Sequence, residues 1–234
     1  ENAAITQVRD MQIVDHNELR RIGRRIFVAA GSSEDEAGTI VDHLVEANLK
    51  GHDSHGVGMI PSYLRNLGNG KAAANEKGRL VSDSGAFIVY DGARGSGPEI
   101  AREETLNGLA RAKENGVAVV ALRNAHHIGR VGTYGEMCAG EGLVSISFVN
   151  ITDQRPAVAP WRGGDARFGT NPVTIAIPGP VPERPIIADM ATSRIAMGKV
   201  RVARNKGEQV AGDTLLDADG KPTTDPNVMY RRPR

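Results

Sequence analysis

Apolar residues recur at helical spacing through the first third of the chain and at strand-like spacing beyond it. Leu19, Ile22, Ile26 and Phe27 share one face of a helix predicted over residues 16–30. Arg20, Arg21, Arg24 and Arg25 fill the opposite face, and Gly31 stops it. Ser33-Glu34-Asp35-Glu36 has the spacing of a capping box and predicts the start of a second helix. That helix carries Ile40, Val41, Leu44, Val45 and Leu49 on one stripe, with His43 on its polar side, and ends near Gly51. A shorter third helix is expected over 60–67, closed by Gly68-Asn69-Gly70. Ahead of these, Ile5, Val8, Met11, Ile13 and Val14 lead into the polar Asp15-His16-Asn17. Residues 1–75 therefore read as a small amino-terminal helical subdomain.

After Ala74-Asn75-Glu76 the period changes. Residues 79–81 and 86–90 read as strands around the hairpin signal Asp83-Ser84-Gly85. A helix over 98–115 opens with Pro98 in its first turn. Strands follow at 117–122, 144–149, 173–177 and 186–188, with helices expected over 132–140 and 191–203. Gly198 is an unfavourable residue inside the last of these helices. Helices and strands alternate over 76–234, which predicts an α/β fold: a mixed sheet flanked by helices.

Composition narrows the function classes. The 234 residues include 29 basic and 28 acidic ones, a formal net charge of +1, which argues against a general nucleic-acid or membrane-surface binder. The arginines of the first helix read as a solvated face, and a further basic cluster falls at Arg231 to Arg234. Nine aromatic residues are too few for a single-strand stacking platform. No apolar run reaches the ~20 residues of a membrane-spanning helix, and no signal-peptide pattern is visible in a chain that opens on Glu1. The lone Cys138 can form no internal disulfide, which fits a reducing, cytoplasmic setting.

Chemistry concentrates at a few places. Asn124-Ala125-His126-His127-Ile128-Gly129-Arg130 follows the buried-strand pattern of 117–122. Histidine can give or take a proton near neutral pH, and arginine offers a fork of donors to a carboxylate or phosphate. One catalytic and one supporting histidine, or one structural and one exposed, both fit the bare residues. Asp53-Ser54-His55-Gly56 places a histidine in the loop after the second helix, where it is either a helix-capping group or a site residue. A metal centre built on His52, His55, His126 and His127 is a further reading, weakened because no carboxylate or cysteine completes a metal-motif spacing. The turn Gly92-Ala93-Arg94-Gly95-Ser96-Gly97 invites a dinucleotide fingerprint, but the third glycine would fall at Ile100 and Pro98 removes a donor. It reads better as a tight strand-to-helix turn. No Gly-x-Ser-x-Gly elbow supports acyl chemistry, and Cys138 reads as core. Asp189, leaving a strand, could bind a ligand or cap the helix after it.

Four segments occur in one order: Gly51 to Tyr63, Asn124 to Arg130, Arg167-Phe168-Gly169-Thr170-Asn171-Pro172 and Asp189-Met190-Ala191-Thr192-Ser193. Together they resemble the malate/L-lactate dehydrogenase family of the second, non-Rossmann type, over residues 15–229. The resemblance implies an NAD- or NADP-dependent oxidoreductase acting on a small 2-hydroxy or 2-oxo acid. It implies a non-Rossmann cofactor domain over 76–234 and a homodimer. It makes His127 the acid/base and puts His55 against substrate or nicotinamide. Gly129, Arg130, Val131 and the run Ile187, Ala188, Asp189, Met190, Ala191 would line the cofactor, with Asn150-Ile151-Thr152 near another contact. Some members place an arginine four residues after the His55 position, where this chain has Met59. Arg130, Arg155 and Arg167 are then candidates for the substrate carboxylate, with Thr170 and Asn171 beside them. Family chains run past this length, so a non-catalytic family member serving as a binding or assembly module is the competing expectation.

Overall fold

The computed structural model describes residues 13–151 and 155–231. Ile5, Val8, Met11, Thr152 and the arginines at 232 and 234 lie outside the described residues. The chain opens with α1 (His16–Ala29) and α2 (Glu34–Leu49), then 3-10 turns at Asp53–His55 and Val57–Met59, then α3 (Ile60–Gly68). Next come β1 (Arg79–Ser84), β2 (Phe87–Asp91), α4 (Gly97–Asn115), β3 (Val119–Arg123), α5 (Gly132–Gly140) and β4 (Ser145–Phe148). The remainder is β5 (Val173–Ile177), β6 (Ile186–Met190), α6 (Met197–Lys206), the short β7 (Leu215–Leu216) and β8 (Pro222–Thr223), and a 3-10 turn at Pro226–Tyr230. No helix of the described residues is long and apolar enough to cross a membrane.

The helical segment packs as the apolar stripes predict. Phe27, Ala37, Ile40, Val41, Leu44, Val45 and Tyr63 form one core, with Met59, Leu64 and Leu67 against it. Phe27 and Leu44 are fully shielded, and burial of such a side chain contributes about 1.5–3 kcal/mol. Gly23 lets α1 close on α2, since a Cβ there would stand 2.8 Å from Val41 Cγ1. Leu49, expected on the stripe, lies exposed at the helix end.

Two local expectations are corrected. Ser33 Oγ does accept from Glu36 N–H at 3.2 Å, yet the return half of the capping box is absent. Asn75 takes it over: its Oδ1 accepts from Ser33 N–H at 2.7 Å, and its own N–H donates to Glu36 Oε1 at 2.8 Å. A residue 39 positions away thereby staples the loop before β1 to the start of α2. His43, assigned to the polar face of α2, is buried. The α/β elements cover that face of the helix, which a stripe count on α2 alone could not show.

The strands form a mixed sheet β1-β2-β3 and an antiparallel sheet β4-β5-β6, with a short β7-β8 ladder. β1 and β2 are the antiparallel hairpin expected, turning at Gly85 (φ +66°), and β2 and β3 pair in parallel across α4. In the second sheet Thr174 and Ala176 face α5, and Gly135 lets the helix lie close, since a Cβ there would stand 2.8 Å from Ala176 Cβ. The other face carries Ile146, Phe148, Ile175, Ile177, Ile186 and Met190, all exposed. The helix expected over 191–203 begins later, at Met197. Thr192 and Ser193 spend their hydroxyls on the carbonyls of Thr170, Asn171 and Ile195 instead, which holds 191–196 out of the helix.

Candidate active site

The loop after β3 is laid across the glycine-rich turn between β2 and α4. Gly92 N–H donates to Arg123 O, Arg94 N–H to Asn124 O, and His126 N–H to Gly95 O, at 2.7, 2.7 and 3.1 Å. A Cβ at Gly97 would come within 2.2 Å of His127 O, and one at Gly92 within 2.9 Å of Ala125 Cα. These glycines therefore serve close backbone approach. They cradle the histidine loop rather than a phosphate.

The two histidines point to different partners. The His126 Nε2 edge meets Asn66 Nδ2 on α3 at 2.9 Å. His127 Nδ1 meets the Tyr63 hydroxyl at 2.8 Å and lies 3.3 Å from Gly129 N. The His127 ring stacks on His55 with centroids 5.6 Å apart and planes 14° from parallel. His55 Nδ1 is held by Ser54 Oγ at 2.9 Å. Burial first, and then the neighbouring His55, His126 and His43, push the half-buried His127 down to about 3. Burial likewise depresses His55 and His126. The cluster is thus a set of neutral rings at neutral pH, with His127 at its centre. The four histidines at 52, 55, 126 and 127 do not converge: His126 is turned to α3, while His55 and His127 lie face to face. Among the described residues no three His, Cys, Asp or Glu side chains converge as metal ligands.

His43 locks the far side of the loop. Its Nε2 accepts Arg130 N–H at 2.8 Å, and its ring stacks on Tyr134 at 5.8 Å. Gly129 (φ +73°) passes so close that a Cβ would stand 2.0 Å from His43 Nε2. Burial, followed by the Arg130 charge, takes His43 down to about 4. His43 and His127 therefore couple stability to pH. Below 6.5 the unfolded chain binds protons on these rings that the folded chain does not. Stability should fall as pH drops through that value, by up to about 1.4 kcal/mol per pH unit for each ring, and level off near their folded values. Urea melts at pH 7.5, 6 and 5 check this, and a His43→Gln variant should show the shallower slope.

Arg130 is buried and its Nη2 pairs with Glu136 Oε1 at 2.9 Å. Lys50 binds the other Glu136 oxygen at 2.6 Å. Burial pushes the Glu136 carboxyl up, but these two cations outweigh it and hold it below its ordinary value. Asp189, in β6, accepts from Gly132 N–H and from Thr174 Oγ1, each at 2.8 Å, and stands 3.9 Å from Arg130 Nε. It caps α5, a helix earlier in the chain, and not the helix that follows it. Arg130 Nε and Nη1 are buried with no hydrogen-bond partner among the described residues.

A cleft of about 160 Å³ forms a second feature of the fold. Asn150, Ile151, Arg155, Arg167, Thr170, Asn171 and Met197 are among the residues around it. Asn171 Oδ1 accepts Ile151 N–H there at 3.2 Å, and Arg167 pairs with Asp165 at 3.0 Å.

Residues 14–233 match the family model described as malate/L-lactate dehydrogenase. The chain belongs to this family. It is 45% identical over 219 residues to hydroxycarboxylate dehydrogenase B of Escherichia coli K12, covering 94% of this chain and 60% of that protein. It is 38% identical over 196 residues to the L-sulfolactate dehydrogenase of Methanocaldococcus jannaschii, covering 84% of this chain and 56% of the relative. A solved structure of a putative malate/lactate dehydrogenase from E. coli superposes with a TM-score of 0.88 at 44% identity, over 95% of this chain and 62% of that one. This member of the malate/L-lactate dehydrogenase family thus spans about 60% of the length of the relatives it matches.

The four family segments are drawn together unevenly. His55, His127, Gly129, Arg130 and Val131 form one continuous neighbourhood, with Val131 in the core beside Ala101 and Tyr134. Strand pleating splits the β6 run. Ile187 and Asp189 share the α5 side, while Ala188 and Met190 take the other, with Ala191 just past the strand. Arg155, Arg167, Thr170 and Asn171 gather at the cleft. Tyr63, Asn66, Ser54 and His43 were not singled out in the sequence as partners of the histidine loop. Tyr63 does close the first family segment, the one signal that could have flagged it.

Proposed function

We propose that the chain carries the catalytic histidine centre of an NAD(P)-dependent 2-hydroxyacid dehydrogenase. The observation that supports this most is the His127 ring, stacked on His55, bonded to Tyr63 and kept neutral by its surroundings. The chemistry required is a proton carrier that faces an alcohol or carbonyl at C2 of the acid. A neutral His127 accepts the hydroxyl proton at Nε2 in oxidation, and the imidazolium returns it in reduction. The Tyr63 hydroxyl serves both states. To accept at Nε2 the neutral ring carries its proton on Nδ1, so in both states Nδ1–H donates to the Tyr63 hydroxyl, which donates in turn to His127 O at 3.3 Å. The ring therefore changes charge without losing its bond to the protein.

His55 supports one face of the His127 ring and borders the reacting groups. The residues fit a nicotinamide cofactor on one observation: Arg130 Nε and Nη1 are buried donors lacking a protein acceptor, at the amino-terminal end of α5. Gly129, Arg130, Val131 and His55, with Ile187, Ala188, Asp189, Met190 and Ala191 of the β6 run, are the residues that would hold it. When bound there, the cofactor supplies or takes the hydride at substrate C2. The cleft with Arg155, Arg167, Thr170 and Asn171 offers polar atoms to the part of the ligand that projects from the reacting centre. A homodimer and a cytoplasmic location complete this reading.

Thermal-shift titration with NADH and with NADPH tests it. A nucleotide at 100 times its Kd should stabilise the protein by about 2.7 kcal/mol. A panel of 2-oxo acids assayed with the stabilising nucleotide then identifies the substrate class. No stabilisation by either nucleotide would favour the non-catalytic binding module.

A further inference from the structure

The helix α6 carries a cation into the histidine centre. Gly198 sets its approach: a Cβ there would lie 2.6 Å from Ser54 Cβ and 3.0 Å from Ser54 O. The glycine that looked unfavourable for a helix is what allows α6 to lie on the Asp53–His55 turn. Arg201 follows three residues later, on the same side of the helix. Its Nη2 donates to Ser54 O at 2.9 Å, and its Nη1 reaches Met59 Sδ at 2.8 Å. Ser54 in turn holds the His55 ring, which stacks on His127.

The guanidinium has neutral partners only. A carbonyl and a thioether, itself a weak acceptor, leave most of its five donors unspent. No carboxylate pairs with it among the described residues. The other arginines near the centre are differently placed: Arg130 is tied to Glu136, Arg167 to Asp165, and Arg204 to Asn227 and the Tyr230 ring. Arg201 is half-buried, so its charge is not fully relieved by water, and a half-buried cation without a counter-ion favours an incoming anion. After burial, the Arg201 charge is among those that keep His55 and His127 neutral.

We propose that Arg201 is the substrate-binding residue that holds the carboxylate of the 2-hydroxy or 2-oxo acid. This rests on the dehydrogenase reading above and deepens it. The planar fork of donors matches a carboxylate in two parallel bonds. Met59 forms the apolar floor beside that fork. The carboxylate partner is therefore brought by α6, some 142 residues after the Met59 position. Arg130, Arg155 and Arg167 are left to other contacts.

The test is steady-state kinetics on the full chain and its Arg201→Met and Arg201→Lys variants, with the 2-oxo acid panel and both nucleotides. Arg201→Met should raise KM for the acid about 100-fold, with KM for the nucleotide within threefold. Arg201→Lys should fall between, because a point charge replaces the fork. A neutral amide of the same 2-oxo acid should lose nothing further in Arg201→Met. An unchanged KM for the acid overturns the assignment. Should the wild type turn over no acid, the dehydrogenase reading fails on its own. Stabilisation by L-lactate or L-malate in thermal shift then decides for Arg201: lost in Arg201→Lys and Arg201→Met, it supports the contact, and equal in all three, or absent from the wild type, it overturns it. Thermal midpoints without ligand identify any variant that fails to fold, and the lysine variant keeps most of the aliphatic stem.

Discussion

His127→Ala should lower kcat by about 100- to 10,000-fold, the range that a positioned acid/base supplies, while nucleotide affinity stays within a few-fold. The ring is the one group bonded through Tyr63 and stacked on His55, so its loss removes the proton carrier and leaves the rest of the loop's backbone bonds in place. Steady-state kinetics with thermal-shift affinity for the nucleotide checks both halves. A near-normal kcat would remove His127 from the role and turn attention to His55. The pH dependence gives a second handle. A base pushed down to about 3 stays unprotonated as pH falls from 8 to 5, so oxidation should lose little rate to this group over that interval. Reduction needs the protonated ring and should slow as pH rises.

Gly97→Ala should damage the site without touching a functional side chain. Its Cβ would stand 2.2 Å from His127 O and 2.4 Å from His126 O. Both are backbone atoms, so no side chain can swing aside, and the histidine loop must move or α4 must retreat. Overpacking of this kind costs about 1–3 kcal/mol. A shift of the loop also carries the His127 ring off Tyr63, and a misplacement near 1 Å can cost about 100-fold in rate. The expected result is a lower unfolding midpoint together with a kcat loss of roughly that size. Gly58→Ala, where a Cβ meets nothing within 4 Å, is the control and should leave both measurements within error. Equal behaviour of the two variants would refute the account of the glycine turn as a cradle for the loop.

The helices were readable because each carries its own signal. Leu19 to Phe27 on α1 and Ile40 to Val45 on α2 repeat at a period that only a helix satisfies, Gly31 follows the end of α1 as expected, and α4 ends at Asn115 as expected. Strands β2, β3 and β5 stood out for the same reason. The site was readable in part. His127 and His55 were singled out by residue type and by the order of four segments, and the structure stacks them. In the sequence Asp189 is a forward cap or a ligand contact; in the fold it caps α5, because two strands and a helix bring Gly132 to it from 57 residues away. His43 was placed on a polar face that the rest of the fold then buried.

The sequence by itself determined most of the helices and the longer strands, the failure of the dinucleotide fingerprint and the identity of the chemically capable loop. Local periodicity, turn chemistry and motif order are properties of neighbouring residues, and these survive without knowledge of what packs where. Only the tertiary structure decided which histidine of the pair bonds the Tyr63 hydroxyl and which bonds Asn66. It alone decided that the glycine turn supports a loop, and that Arg201 arrives at Met59. Those outcomes depend on contacts between residues tens to more than a hundred positions apart. Their geometry is set by side-chain volume at crossings such as Gly97 against His127 and Gly198 against Ser54, which no window along the chain contains.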